Sequence, residues 1–395
     1  MRIPATLVRG GTSKCWLFSQ VHTPADRAGI ERLLVAAYDA ADPVQLDGVG
    51  GATPTTSKAA VVGASPRAGV DIDYLFAQVG IGTGVVEWGS NCGNCATAIA
   101  LYAVAKGLVP ITGDRTRVVM HNANTGALLE AVVDTTGRRV HEFGEQTVPG
   151  TRSGGVGVGL TFLDPAGGTT GKLLPTGTAS ELLPAPGELP TSALRSADAR
   201  SLRVSCVDAG APVVLVDAAS ADRTGAEPLD RVRADVPWLR AVRHAAAARM
   251  GLQMQGSTDG AALAREEAPA PSDAVPKVGL VGPPASYTST LGEHIAAEDH
   301  ELTVRMLSMN APHPAIGLTS AVAIAAAELV RDTVVAAASS RTGEWLRIGT
   351  PAGVVPVRCT EHTPSGPGRV TVQRAARILA EAELSVPEPL APAAA

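Results

Sequence analysis

The sequence predicts an α/β protein of the α+β type with two pseudo-symmetric lobes, each with a mixed sheet wrapped around one central buried helix. Two segments, 96–105 and 315–338, are predominantly apolar on every side, and a helix of that kind is buried rather than amphipathic. Strand and turn signals around both segments recur at an offset of roughly 200 residues, which indicates an internal repeat of pattern. The chain has 395 residues, which is long for a single hydrophobic core.

The first half supplies one set of predicted elements. Hydrophobic periodicity, β-rich runs and glycine turns define them. In chain order they are a strand, turn and strand (Ile3 to Val8, Gly10-Gly11, Cys15 to Phe18), a helix over 25–41, strands Ala59 to Val62, Asp71 to Val79 and Gly84 to Val86, a buried helix over 91–106, and a hairpin (Arg117 to His121, Leu128 to Val133).

The second half repeats this plan. Its predicted elements are a strand, turn and strand (Leu202 to Val207, Gly210, Pro212 to Val216), a helix over 228–250, a strand from Lys277 to Val281, a buried helix over 315–338 opened by Asn310 to Pro314, and a hairpin (Trp345 to Gly349, Val354 to Arg358).

A stretch rich in Gly, Pro, Thr and Ser separates the two halves and predicts the domain boundary. We place an N-terminal lobe at 1–185, which contains Lys58 and Cys92, and a C-terminal lobe at 186–365. A return of the segment from about 366 to 395 to the N-terminal lobe is left open. The cleft between lobes is the expected site, because two helix N-termini facing it would suit a substrate with two carboxylates.

Composition excludes several classes of partner. A net charge of −5 without a dense Lys/Arg stripe does not provide the basic surface that nucleic-acid binding requires. Because no run of 18 apolar residues and no signal-peptide pattern occurs, we expect neither a membrane span nor secretion. Five cysteines, an odd number spread thinly, fit a reducing cytoplasm better than a disulfide framework.

Lys58 is a candidate general base. The triplet Thr-Ser-Lys occurs twice, at 12–14 and 56–58, and Lys58 directly precedes the apolar strand Ala59 to Val62. Burial at a strand edge is expected to lower the pKa of a lysine, so that it serves as a neutral base. The plain alternative for any lysine is a solvated surface charge, and for Lys14 the two interpretations are equally open.

Cys92 lies in Asn91-Cys92-Gly93-Asn94 at the predicted start of the first buried helix. The helix dipole is expected to lower the pKa of a thiol there. The alternative is a small buried apolar residue, as most cysteines are. The spacing Cys92 to Cys95 is also that of C-x-x-C, but no second ligand pair follows, so we predict neither a metal site nor a redox motif.

Two residues near the second buried helix have open roles. For His313, which lies between Pro312 and Pro314, one role is to bind a carboxylate and the other is to cap the helix. Arg305 either binds a carboxylate through its guanidinium or pairs with another residue in a structural role. The remaining histidines show no ligand spacing, and no phosphate-loop or dinucleotide fingerprint occurs, so no metal and no cofactor is expected.

Many short segments agree, in order, with one known family. They are Arg9-Gly10-Gly11-Thr12-Ser13-Lys14, Thr56-Ser57-Lys58 with Ala59 to Val62, Asn91 to Asn94, Asn124-Thr125, Leu174 to Gly177, Asp208-Ala209, Pro276-Lys277, Arg305 to Met309, Pro312-His313, and Arg347 to Gly349 with Gly353 to Val357. The chain resembles the methylaconitate cis-trans isomerase family (PrpF), which also holds methylitaconate delta-isomerases and oxalomesaconate tautomerases.

The resemblance implies the diaminopimelate-epimerase-like fold and a set of site residues. Lys58 would be the catalytic base, with Cys92 as the second catalytic group. The residues expected to contact substrate are Gly11, Thr12, Ser13, Ser57, Asn91, Gly93, Asn94, Arg305, Met309 and His313. Racemases of this fold have a cysteine at the start of each central helix, whereas here the second helix begins near Pro312-His313. That difference favours proton transfer centred on Lys58 over racemisation by two thiols.

The chain departs from the family pattern at a few positions. Cys15 stands where the family usually has Gly, Pro314 where an Arg is expected, and Cys95 and Thr97 change the start of the first helix. Loss of the Arg should weaken recognition of a third carboxylate, so the native substrate need not be methylaconitate itself.

The predicted function is therefore a cofactor-independent isomerase that shifts a proton on a small unsaturated di- or tricarboxylic acid. Three alternatives stay open: an amino-acid epimerase of the same fold, a hydrolase with a Ser-Lys pair, and a non-catalytic protein that binds such acids. A homodimer is a further open expectation.

Overall fold

The computed structural model describes residues 1–89, 92–186, 201–252 and 275–387. The chain divides into two compact units. The first unit is Met1–Thr161 together with the chain from Gln373 onward, and the second is Phe162–Val372. The divisions fall at 161/162 and 372/373, whereas the boundary at 185/186 and the return from about 366 stay sequence-based predictions.

The first unit has all of its described strands in one mixed sheet. Its elements are β1 (Arg2–Gly10), β2 (Ser13–Ser19), α1 (Arg27–Tyr38), β3 (Lys58–Ala64), β4 (Ile72–Val79), β5 (Val86–Glu87), α2 (Gly93–Ala105), β6 (Arg115–Asn122), β7 (Leu128–Asp134) and β8 (Val156–Leu163), which runs into the start of the second unit.

Two helices cover this sheet. Every residue of α2 from Gly93 to Val104 is buried, and the helix packs against β1, β2, β3, β6 and β7. The amphipathic helix α1 instead buries one face, with Leu34 and Tyr38 inside a cluster that also holds Trp16. A helix without a polar face cannot stay stable at a surface, which is why α2 rather than α1 lies at the centre.

The second unit follows the same plan. Its elements are β9 (Glu181–Pro184), β10 (Ser201–Ala209), β11 (Ala211–Asp217), α3 (Leu229–Ala234), α4 (Val236–Arg249), β12 (Lys277–Gly282), β13 (Tyr287–Thr288), β14 (His294–Ile295), β15 (Leu302–Ser308), β16 (Ala311–Pro312), α5 (Leu318–Glu328), α6 (Val334–Ala338), β17 (Trp345–Thr350) and β18 (Gly353–Thr363). The long strand β19 (Gly366–Ser385) pairs with β18 in its first part and with β1 in its last part.

Strand pairing confirms the predicted repeat. In the first unit β1 and β2 are antiparallel, β2 and β3 parallel, β3 and β4 antiparallel, β4 and β6 parallel, and β6 and β7 antiparallel. In the second unit the strands β10, β11, β12, β15, β17 and β18 pair with the same succession of directions. The buried helix α5 packs against β10, β11 and β18, as α2 does in its own sheet.

The predicted second buried helix over 315–338 is wrong at its start and in its middle. Ala311–Pro312 pairs with Leu307 and Ser308 as a strand, and the helix begins only after Gly317 as N-cap. It ends at Glu328, and Thr333 caps the separate helix α6 by accepting a hydrogen bond from the Ala336 amide. Apolar composition alone did not reveal this break, where Asp332 adopts a φ of 69°.

The predicted helix over 228–250 is interrupted as well. Helices α3 and α4 meet at Asp235, and a proline lies in the first turn of α4. The Asp235 carboxylate is buried and paired with Arg223 at 2.8 Å. No helix in the described ranges combines the length and apolar character that crossing a membrane requires.

Candidate active site

Lys58 begins β3 with its side chain buried, at 9% exposure. Gln78 lies directly opposite on β4, and the Lys58 Nζ donates a hydrogen bond of 2.5 Å to Gln78 Oε1. The same Nζ lies 5.2 Å from the ring centroid of Phe76. The Tyr38 hydroxyl donates to the Lys58 carbonyl, which ties the backbone at this strand end to α1. The buried amine is therefore held by a neutral acceptor, Gln78, beside an aromatic ring.

A second layer of amides supports this lysine. Gln78 Nε2 donates to the Ser57 carbonyl at 3.0 Å, and the Ser57 hydroxyl donates to Gln45 Oε1 at 2.6 Å. Gln45 Nε2 in turn donates to the Gly80 carbonyl at 3.2 Å. Ser57, predicted as a substrate contact, is fully buried. Its hydroxyl hydrogen is engaged with Gln45 rather than with Lys58.

The turn between β1 and β2 lies against the start of α2. Gly11 has a φ of +53°, and a Cβ on it would lie 2.1 Å from Asn94 Oδ1. Asn94 Nδ2 donates to Thr12 Oγ1 at 3.1 Å. The Asn94 Oδ1 is buried and has no hydrogen-bond partner in the described parts of the chain. Gly11, Thr12 and Asn94 are thus brought together, with the buried Ser13 next in the turn.

A chain of three hydrogen-bonded thiols leads from the start of α2 to Cys15 on β2. Cys92 is the N-cap residue, and its thiol is hydrogen-bonded to Cys95, which is hydrogen-bonded to Cys15. All three are free cysteines. The hydrogen bond with Cys95 and burial raise the pKa of Cys92 well above its ordinary value, while the Lys58 charge acts in the opposite direction.

The expectation of a lowered Cys92 pKa is therefore wrong. A thiolate would lose the hydrogen bond that its proton makes to Cys95, and it would stand in an apolar setting. That expectation rests on the helix dipole alone. The effect of Lys58 on the Cys92 pKa places these two side chains within electrostatic reach of each other.

The predicted site residues of the second unit are engaged in local contacts. Arg305, on β15, is buried, donates to the Glu227 carbonyl at 2.6 Å and lies 4.7 Å from the ring centroid of Tyr287. Burial lowers the pKa of Arg305 to about 10. Of its two open roles, these contacts correspond to the structural one, and a carboxylate contact stays a prediction.

Met309 and His313 belong to the same part of the second unit. Met309, with a φ of +54°, lies in the turn between β15 and β16, and its carbonyl accepts a hydrogen bond from Arg243. The buried His313 accepts a hydrogen bond from the Ala315 amide at 3.0 Å through Nδ1. It precedes the helix by several residues, so the expectation that it caps the helix start is wrong.

Gly93 is the first residue of α2, and Asn91 lies outside the described residues. The sequence analysis missed Gln78 and Phe76, because nothing in a single sequence fixes the β3–β4 register that brings them to Lys58. Among the residues that the structure describes, no group of three His, Cys, Asp or Glu side chains could hold a metal ion.

The fold places this site within a known structural class. The crystal structure of a probable proline racemase from Agrobacterium radiobacter covers 99% of this chain and 94% of its own at a TM-score of 0.53 and 12% identity. That likeness concerns the fold alone and confirms the predicted diaminopimelate-epimerase-like class. A crystal structure of a methylitaconate-delta-isomerase is more similar, with a TM-score of 0.79, 29% identity, and coverage of 98% and 96%.

The chain belongs to the PrpF family, because the family model described as PrpF protein matches residues 1–387. A 3-methylitaconate isomerase of Eubacterium barkeri is 32% identical over 90% of each chain. A 2-methyl-aconitate isomerase of Shewanella oneidensis is 33% identical over 98% of each chain. A (4E)-oxalomesaconate Delta-isomerase of Novosphingobium is 33% identical over 83% of this chain and 80% of its own. The predicted family and the predicted enzyme class, an isomerase, are confirmed.

Proposed function

We propose that this isomerase shifts a proton on a small unsaturated di- or tricarboxylic acid without a cofactor, with double-bond migration or cis-trans change as the outcome. One observation carries the proposal. The buried Lys58 amine and the thiol of Cys92, the N-cap residue of α2, lie within electrostatic reach of each other. The relatives' names support the substrate class, because they refer to 3-methylitaconate, 2-methyl-aconitate and oxalomesaconate.

Lys58 removes the proton. In its neutral form, the amine takes a proton from a carbon that is adjacent to or conjugated with a carboxylate, and the C–H electron pair becomes part of a dienolate. The free backbone N–H groups at the start of α2, around Gly93 and Asn94, stabilise the negative charge. The turn at Gly11 to Ser13 borders this position and limits the space for the substrate.

Cys92 returns a proton to the other carbon. Its raised pKa keeps the thiol protonated near neutral pH, as a proton donor requires. The S–H bond breaks as the new C–H bond forms, and the double bond moves. Lys58 then loses its added proton and Cys92 regains one through solvent, so that the enzyme ends each turnover in its starting state.

Arg305, Met309 and His313 are proposed substrate contacts, together with Gly11, Thr12, Ser13, Ser57, Asn91, Gly93 and Asn94. We place the enzyme in the cytoplasm, because all five cysteines are free, as in a reducing compartment. A homodimer stays a prediction.

Two structural observations support the isomerase over its rivals. An epimerase of this fold would use a second cysteine at the second central helix, but α5 begins after Gly317 and contains no cysteine. A Ser-Lys hydrolase would have the serine hydroxyl bonded to the lysine amine, whereas Ser57 donates to Gln45 and Lys58 donates to Gln78.

Proton NMR in D2O tests the proposal. The purified enzyme is incubated with aconitate, 2-methylaconitate, methylitaconate and oxalomesaconate in turn. We expect isomer interconversion with deuterium entering the product for at least one acid. Binding without exchange on any acid would favour a non-catalytic protein that binds such acids, and covalent labelling by serine-directed acylating reagents would favour the hydrolase.

A further inference from the structure

Arg374, in β19, is a buried cation that has no role in the reaction proposed above. Its side chain is 2% exposed. Within the described parts of the chain no residue forms a hydrogen bond or ion pair with it, and its buried Nε has no acceptor. Burial alone lowers its pKa to about 10, so the guanidinium remains charged at neutral pH.

Other buried arginines in this protein have partners. Arg223 forms two hydrogen bonds of 2.8 Å with the Asp235 carboxylate, and Arg305 donates to backbone carbonyls. A buried charge without a partner is strongly unfavourable. A guanidinium also offers five N–H donors in a planar fork that matches a carboxylate. The fork of Arg374 is therefore available for an anion.

The backbone of Arg374 lies beside the turn that contacts Asn94. Strand β19 pairs with β18 up to Val372 and with β1 from Ala376 onward, and Arg374 lies between these two stretches. The next residue, Ala375, accepts a hydrogen bond of 2.9 Å from the Gly11 amide. Gln373 is exposed while Arg374 is buried, so the Arg374 side chain enters the interior from a strand position next to the Gly11 turn.

We infer that Arg374 binds a carboxylate of the substrate, and this inference rests on the proposed function. The α2 N-terminus accommodates one negative group, and Arg374 supplies a separate cation for a second or third carboxylate. Pro314 stands where the family resemblance leads us to expect an Arg. Arg374 offers positive charge from a different element, so this chain can select polycarboxylates over monocarboxylates.

The test compares Arg374→Gln and Arg374→Lys with the matched control Arg377→Gln. Arg377 is on the same strand, and its guanidinium lies 4.8 Å from the ring centroid of Phe143. Two quantities are measured for each variant. One is the unfolding midpoint with and without citrate, a non-isomerising tricarboxylate, or crotonate, a monocarboxylate. The other is kcat and KM on the acid that the NMR assay identifies.

Arg374→Gln should unfold at the same temperature as the wild type or higher without ligand, because an unpaired buried charge has been removed. It should lose the stabilisation by citrate and raise KM about 10- to 100-fold, as expected for a lost charged hydrogen bond. The effect on kcat should be smaller. Arg374→Lys should recover part of the citrate binding, and Arg377→Gln should match the wild type.

The inference and the proposed reaction can fail separately. A much lower unfolding midpoint for both Arg374 variants, with citrate stabilisation and KM unchanged, would show a structural role and overturn the inference. If the wild type binds citrate through Arg374 but exchanges no proton on any acid, the inference stands and the proposed reaction fails. A wild type that binds no polycarboxylate would overturn both.

Discussion

The two units share their strand pairing but differ at the N-termini of their buried helices. In the first unit, α2 is preceded by Cys92 as N-cap and continues with Gly93 and Asn94. In the second, α5 is preceded by Gly317 and continues with Leu318 and two small hydroxyl residues. Both helices are apolar and buried, so the same packing requirement has been met twice.

This difference separates what the fold needs from what the reaction needs. A buried central helix requires apolar side chains and permits almost any small residue at its first turn. Among the described residues, the combination of the Cys92 thiol, the unpaired Asn94 Oδ1 and the nearby Lys58 is found at α2 and has no counterpart at the start of α5. The fold is also found in a probable proline racemase, so the function has to be argued from the site rather than from the architecture.

The largest expected effect comes from the lysines that begin equivalent strands. Lys58 begins β3 and Lys277 begins β12. Lys58→Ala should lower kcat by about a thousandfold or more, since a positioned general base contributes 10² to 10⁴. Lys277→Ala should stay within about threefold of the wild type, because the account assigns the second unit no proton transfer. Steady-state kinetics on the assigned substrate, with thermal unfolding as a folding control, decides the matter. Equal losses in both variants would remove the distinction between the units.

The turn glycines give a second comparison. Gly11 and Gly210 follow the first strand of each unit with φ values of +53° and +71°. An added Cβ would lie 2.1 Å from Asn94 Oδ1 at Gly11 but 3.2 Å from a Val322 methyl at Gly210. We expect each Ala variant to lose about 1–2 kcal/mol of unfolding free energy from backbone strain.

Only Gly11→Ala should also lose activity, by about tenfold or more, because it displaces Asn94 at the α2 N-terminus. Denaturant unfolding and kcat/KM are measured on both variants. A similar activity loss in Gly210→Ala would mean that general destabilisation, rather than the geometry around Asn94, explains the result.

The sequence predicted the repeat and much of the site because both leave local signals. Alternating and all-apolar runs mark strands and central helices, and the Lys58 and Cys92 motifs lie next to them. The start of α5 was misplaced because Pro312 and His313 look like a helix opening, whereas pairing of Ala311–Pro312 with β15 delays the helix to Leu318.

Contacts between distant residues were not predictable. The contact between Lys58 and Gln78 depends on strand register. The raised pKa of Cys92 depends on its side-chain hydrogen bond with Cys95. Arg374 was missed because its sequence neighbourhood is an ordinary strand. Its unusual property is the lack of a partner, which only the folded structure reveals.

A smaller effect concerns thiol reactivity. The hydrogen bond with Cys95 is the main cause of the raised Cys92 pKa, so Cys95→Ala should lower that pKa and increase the thiolate fraction at pH 7.5. We expect iodoacetamide to modify Cys92 about three- to tenfold faster in this variant, because the thiolate is the nucleophile. Peptide mass spectrometry over time measures the rate.

The matched control for this prediction is Cys206→Ala in the second unit. Burial raises the pKa of Cys206 to about 12, and its removal should leave Cys92 labelling unchanged. If Cys92 in the wild type already reacts as fast as a free thiol of small peptides, the assignment of Cys92 as a protonated donor is wrong.

The central claim is that two different groups of the first unit, Lys58 and Cys92, move the proton. Deuterium content of the product after a single turnover in D2O tests it most directly. If the Cys92 thiol, exchanged with solvent, supplies the proton, product from the wild type should carry close to one deuterium per molecule. Product that retains about a third or more of the substrate's protium would contradict the account, because a Lys58 ammonium with one protium and two deuterons would return one of these three and could act alone.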